Sequence, residues 1–117
     1  AHDKVSWVSY AGLPEDPYNA LQRKYSPHGG GSVFTFGLKG GYDAGVSLVE
    51  HLQLFSQLAN IGDPKPLVIH PASTTHRQLG DEQKIAAGAG PDVVRLSIGI
   101  ESVADIIADL EQALNKV

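Results

Sequence analysis

Val93-Val94-Arg95-Leu96-Ser97-Ile98-Gly99-Ile100-Glu101 decides the fold, because it reads as a strand that leaves through a glycine into a helix. Alternation places Val94, Leu96, Ile98 and Ile100 on one face and Arg95, Ser97 and Gly99 on the other. Downstream, Val103, Ile106, Ile107, Leu110, Leu114 and Val117 form the stripe of a helix able to cover the apolar face. Ser102, with Asp105 three positions on, resembles a capping box with Asp in place of the usual Glu. The second face carries a guanidinium among small residues and reads as the floor of something.

Working outward, Val5-Ser6-Trp7-Val8-Ser9-Tyr10 alternates and is rich in β-formers, which predicts a first strand. Pro17 suits the start of a short helix over Tyr18 to Tyr25, ended by Pro27, and Gly29-Gly30-Gly31 is a flexible joint. Ser32 to Lys39 predicts a second strand, with Phe34, Phe36 and Leu38 on one face and Val33, Thr35 and Gly37 on the other. Gly40-Gly41 turns into a predicted long helix from Tyr42-Asp43 to about Asn60-Ile61-Gly62, striped by Leu48, Leu52, Phe55 and Ala59. Leu67 to His70 predicts a short third strand stopped by Pro71, and Asp81 to Ala87 a brief helix closed by Gly88. The expected fold is α+β: a two-layer sandwich, a four-stranded, mostly antiparallel sheet with helices on one face.

The 117 residues suit one domain, 1–117, with an ordinary apolar share of 42% and hence a packed core. A net charge of −4 argues against a nucleic-acid partner, which would call for a basic stripe. There is no apolar run long enough for a membrane span, and no basic-then-apolar signal segment at the start. Without cysteine, disulfides, thiolate metal sites and cysteine nucleophiles are excluded. The lack of any methionine suggests a fragment, with removal of an initiator before Ala1 as the milder explanation.

Among candidate chemical groups Arg95 stands first. Its planar fork suits a carboxylate or phosphate bidentately, while the plainer reading is a strand arginine paired with a surface acid; the strand alone leaves both open. Gly37-Leu38-Lys39-Gly40-Gly41 precedes a helix but lacks P-loop spacing, so backbone turning explains its glycines. His70 and His76 have no third ligand nearby in sequence, and loop hydrogen bonding is their default role. Ser73, Thr74 and Thr75 beside His76 lack a nucleophile-elbow context. None of Lys4, Lys24, Lys39, Lys65, Lys84 and Lys116 sits in an apolar context that would favour imine chemistry. These residues do not add up to a complete catalytic apparatus.

Five blocks nevertheless occur in a familiar order: Trp7 to Pro14, Phe36 to Gly41, Leu54 to Asp63, His70 to His76, and Val94 to Glu101. Jointly they resemble the C-terminal domain of the cystathionine γ-synthase-like family of fold-type I pyridoxal-phosphate enzymes. Leu-Ala-Asn-Ile-Gly-Asp followed by His-Pro-Ala-Ser-Thr-Thr-His is most similar to the family's sulfhydrylase branch. That resemblance implies replacement of the acetate of O-acetyl-L-homoserine by sulfide or methanethiol, giving homocysteine or methionine. It implies pyridoxal 5'-phosphate as cofactor, held with its Schiff-base lysine by an N-terminal domain, so that residues 1–117 alone would be inactive. It implies a cytoplasmic homotetramer, in which this domain's partners are its own N-terminal domain and sister subunits. On the matching positions it assigns the substrate α-carboxylate to Arg95, a support role to Thr75, and a place near the substrate to Asn60, where many relatives carry serine. The sibling activities, cystathionine γ-synthase and methionine γ-lyase, are the nearest alternatives. A free-standing small-molecule-binding module is the alternative of another class.

Overall fold

In the computed structural model, which describes residues 2–117, the runs of β-branched and aromatic residues become strands much as alternation predicts. The elements in chain order are β1 (Val5–Ser9), α1 (Asn19–Tyr25), β2 (Val33–Leu38), α2 (Gly41–His51), β3 (Ser56–Gln57), β4 (Leu67–Ile69), α3 (Asp81–Ala86), β5 (Val93–Ser97) and α4 (Val103–Leu114). A 3₁₀ turn over Pro71–Ser73 follows β4. The strands form one sheet in the order β1-β2-β5-β4-β3, antiparallel except for the β3–β4 pair. The α+β class holds, but the sheet has five strands where four were expected. Phe36, Val94, Leu96 and Val68 point from its core face into a cluster with Leu48 of α2 and Ile106 and Leu114 of α4.

The chain enters α2 through Gly40 and Gly41, at φ +113° and +65°, in a region that L side chains avoid. Asp43 lies in the first turn, where the positive end of the helix dipole favours it. The helix then ends at His51, well short of the expected Asn60. Leu52 and Phe55 are buried as the pattern required, but beyond the helix, Leu52 in extended backbone and Phe55 in a bend; Ala59 is exposed. The cause lies on α4. The Asp109 carboxylate accepts the backbone N–H groups of Gln53 (3.0 and 3.1 Å) and Leu54 (2.8 Å), which a continuing helix would have turned inward. Gln112 Nε2 donates to the His51 carbonyl (2.7 Å) and to Asp109 (3.0 Å). α4 thus terminates α2, and the freed chain supplies β3.

Three further expectations are corrected. β5 stops at Ser97, and Ile100 is 86% exposed rather than on the core face. At Gly99 the chain runs so close to the 64–66 loop that a Cβ would lie 2.5 Å from the Pro64 carbonyl, and Ile100 N–H bonds that same carbonyl (3.0 Å) instead of a strand. On α4, Val103 (70%) and Ile107 (56%) are exposed, whereas Asp109 and Ala113 are buried beside Ile106 and Leu114. The helix is rotated so that its carboxylate meets the 53–54 amides. Finally, Ser102 makes no side-chain cap, so the predicted capping box does not form.

His70 shows how tightly the end of β4 is tied down. Its ring is fully buried, Nε2 donates to the Pro91 carbonyl (2.8 Å), Nδ1 lies 3.0 Å from Ser73 Oγ, and Tyr42 packs edge-on at 5.1 Å. The loop hydrogen-bonding role expected of it is what the structure shows. Gly45 of α2 presses against the ring: a Cβ there would come within 2.5 Å of Nε2. Helix propensity alone favours Gly45→Ala by about 1 kcal/mol. Overpacking against a ring held from three sides costs about 1–3 kcal/mol, and here it wins. Gly45→Ala is therefore expected to lower the denaturation midpoint; an unchanged or raised midpoint would show that the His70 pocket can give.

Candidate functional site

Pairing register sets the site. Across four strands, Ser9, Thr35, Arg95 and Ile69 stand in one row on the face opposite α2 and α4. That face is partly covered: Val93, Ser97, Leu67 and Ile69 on it are buried. The loop through Asn60 lies over one flank, and the segment from Pro71 to Ala89 lies over the other. What stays open is the ground around the half-buried Arg95.

Three hollows meet at that side chain. One of about 300 Å³ lies toward the β1–α1 loop and includes Ser9, Asp16, Tyr18 and Thr35. A second, about 290 Å³, lies toward the Pro71 turn and includes Thr35, Ala59, Ile69, Thr75 and His76. The third is a cell of about 10 Å³ between Arg95, Asn60, Ser97 and the apolar side chains of Leu58, Leu67 and Ile69. A larger cavity, about 530 Å³, lies elsewhere, among Val8, Tyr10, Leu13, Phe34 and Ile98. It offers shape and apolar surface but no charge, so the chemistry belongs to the Arg95 side.

The structure brings Arg95 and Asn60 together: Nη2 makes a long contact of 3.5 Å with the Asn60 carbonyl. The Asn60 side chain folds back to accept the Ile61 N–H (2.9 Å). Thr75 shares the second hollow with Arg95, but its hydroxyl pairs with His76 Nδ1 (2.8 Å) rather than with the guanidinium. Among the described residues the ion pairs are His2–Asp3 and Lys84–Asp81, so no carboxylate of the chain occupies Arg95. The plain reading of a strand arginine bound to a surface acid is thereby set aside. A half-buried five-donor fork whose one internal contact is a long one to a carbonyl, and which no carboxylate meets, is suited to a planar anion brought from outside.

Sequence reasoning did not foresee His76 as a wall of this hollow, or Asp16 and Tyr18 as walls of its neighbour. Pro71, which stops β4 and starts the 3₁₀ turn, is the one signal that could have pointed to His76. No group of three or more His, Asp or Glu residues among the described residues could hold a metal ion. No lysine lines any of the three hollows.

A family profile described as Cys/Met metabolism PLP-dependent enzyme matches residues 1–115. The chain is 50% identical over 111 residues to O-acetyl-L-homoserine sulfhydrylase 1 of Thermus thermophilus, covering 95% of this chain and 26% of that protein. It is 53% identical over 113 residues to homocysteine synthase of Schizosaccharomyces pombe, covering 97% and 26%. It therefore spans about a quarter of the length of the curated relatives it matches. Among solved structures, a Campylobacter jejuni protein assigned as an O-acetylhomoserine (thiol)-lyase, carrying a pyridoxyl-lysine phosphate, superposes with a TM-score of 0.88 at 40% identity. The match covers 98% of this chain and 27% of that one. Cystathionine gamma synthase of Xanthomonas oryzae, in complex with cystathionine, superposes with a TM-score of 0.87 at 36% identity, covering 99% and 30%.

Proposed function

The chain belongs to the Cys/Met metabolism PLP-dependent enzymes, and we propose that it is the substrate-gripping C-terminal domain of an O-acetylhomoserine sulfhydrylase. The whole enzyme would break the Cγ–O bond of O-acetyl-L-homoserine and form a Cγ–S bond, releasing acetate. Sulfide as nucleophile gives homocysteine; methanethiol gives methionine. The observation that carries this reading is Arg95, half-buried, free of internal carboxylates and bordered by two hollows of amino-acid size. Identities near 50% to proteins named as sulfhydrylase and homocysteine synthase support the choice of branch.

Pyridoxal phosphate, when bound, acts as an electron sink for carbanionic charge on the substrate. None of the three hollows at Arg95 is lined by a lysine that could hold it as an imine. A preceding N-terminal domain would hold it, and the assembly would be a cytoplasmic homotetramer. The share of this domain is then positional: Arg95 clamps the α-carboxylate, Asn60 closes one flank of the guanidinium and Thr75 with His76 walls the other. Fixing the carboxylate restricts the orientation of the Cα–H bond and the origin from which the side chain extends, and such orientation lowers the barrier by several kcal/mol.

The test is turnover by the full-length protein. O-acetyl-L-homoserine with sulfide should give homocysteine and acetate at least about tenfold faster than cysteine gives cystathionine, a difference of about 1.4 kcal/mol in barrier. Faster reaction with cysteine, or release of methanethiol from methionine, would transfer the chain to a sibling activity.

A further inference from the structure

Ser97 stands two positions beyond Arg95 on β5 and on the same face of the sheet. It is only 4% exposed, and its hydroxyl oxygen has no hydrogen-bond partner. A buried hydroxyl is rarely left so, and each case calls for a specific reason. Leu58, Leu67 and Ile69 make the apolar part of the wall of the small cell into which it faces. The polar residues of its lining are Ser97, Asn60 and Arg95. A cell of about 10 Å³ is about the size that holds one water molecule. Three convergent polar partners are the number a buried water ordinarily takes. The direct contact from Arg95 to the Asn60 carbonyl, at 3.5 Å, is too long to fix the plane of the fork by itself.

We propose that Ser97 is a positioning residue for the carboxylate grip: through one water seated between Ser97 Oγ, Asn60 and Arg95, it holds the guanidinium at the angle that receives the substrate. This rests on the reading of Arg95 as the carboxylate anchor. The water would give one N–H of Arg95 a target within the small cell and leave the other N–H groups of the fork for the two larger hollows. It also explains a hydroxyl at a strand position where packing alone would favour valine.

Two measurements on the full-length holoenzyme test this. A crystal structure at about 1.5 Å resolution should show one ordered water within hydrogen-bond reach of Ser97 Oγ and Arg95. Protein atoms filling the cell, or an empty cell, overturn the proposal. In parallel, inhibition constants of L-norvaline and of its alcohol L-norvalinol, which lacks the carboxylate, are compared for wild type, Ser97→Ala, Ser97→Thr and Arg95→Ala. Ser97→Ala should weaken L-norvaline by about fivefold and leave L-norvalinol unchanged, because only the carboxylate uses the fork. KM for O-acetyl-L-homoserine should rise by a similar factor with kcat within about twofold. Ser97→Thr should restore the affinity. Should Ser97→Ala prove insoluble, Ser97→Cys, close in size and a weak donor, gives the same readout. Equal weakening of both inhibitors would mark a merely structural serine and overturn the inference. L-norvaline weakened by Arg95→Ala but not by Ser97→Ala would overturn the role of Ser97 alone. Insensitivity to Arg95→Ala would overturn the anchor reading itself.

Discussion

Arg95→Ala in the full-length enzyme is expected to lower kcat/KM for O-acetyl-L-homoserine by about a thousandfold, which corresponds to about 4 kcal/mol. Truncating one partner of a hydrogen-bonded charge pair that is desolvated on binding costs about 2–5 kcal/mol, and a substrate carboxylate gripped by Arg95 and closed over by the rest of the enzyme would fall in that range. Most of the loss should be in KM, because the carboxylate would enter a recess with no cation to receive it. Part should fall on kcat, since a carboxylate free to swing carries the reacting carbons out of line. Arg95→Lys should recover little: an ammonium is a point donor and cannot make two parallel bonds to the two carboxylate oxygens. Stability should change by less than about 1 kcal/mol, because Arg95 is only half-buried and no internal salt bridge is lost. Steady-state kinetics and a thermal melt of each variant check all of this. Unchanged kinetics for both substitutions would remove Arg95 from the site.

What was legible in the sequence follows the reach of each signal. Alternation is local, so the strands around Phe36, Val68 and Val94 could be read, as could Arg95 on the face turned away from them. The family resemblance was legible for a different reason: five blocks in order carry more information than any periodicity. Where a long-range contact decides, the local signal misleads. Leu48, Leu52, Phe55 and Ala59 keep a helical period, yet the helix stops at His51 because side chains 55 to 61 positions away take its backbone groups. Val103 and Ile107 fit the stripe of α4 but lose to the rotation that seats Asp109. Ile100 fits the strand but loses to the crossing of Gly99 over Pro64.

The site shows the same division. Arg95 stood out by residue type, whereas its neighbours are assembled by register and by loops. Thr35 lies opposite Arg95 across the β2–β5 pair, and nothing in either strand announces that pairing. Asn60 and Thr75 reached the candidate set through the resemblance. Their geometry proves unequal: Asn60 meets the guanidinium through its backbone, while Thr75 spends its hydroxyl on His76. Alternation marks Ser97 only as a small residue on the face of Arg95. Its neighbours in the small cell include Leu58 and Asn60, which helical periodicity places at the end of a helix and the structure places in a loop.

Asp109→Ala should be the most destabilising single substitution argued from this structure, at about 3 kcal/mol and a fall in Tm of about 10–15 °C for a domain of this size. Asp109 is 8% exposed in the middle of the apolar stripe of α4, at 106, 109, 110, 113 and 114, where a carboxylate is tolerated only if it is fully bonded. Its two oxygens take both N–H groups at the break after α2 and hold the Gln112 amide that caps His51. Removing them leaves two amide donors partly buried without acceptors, each costing about 1–3 kcal/mol, less what solvent recovers. Asp109→Asn keeps one acceptor oxygen and should lose about half as much. Gln112→Ala should cost about 1 kcal/mol, and the double variant should fall short of the sum because the two side chains share a bond. Denaturant unfolding measures each term, with an unchanged m value marking the same two end states. A loss below about 0.5 kcal/mol for Asp109→Ala would mean that local pattern, not α4, ends α2 at His51.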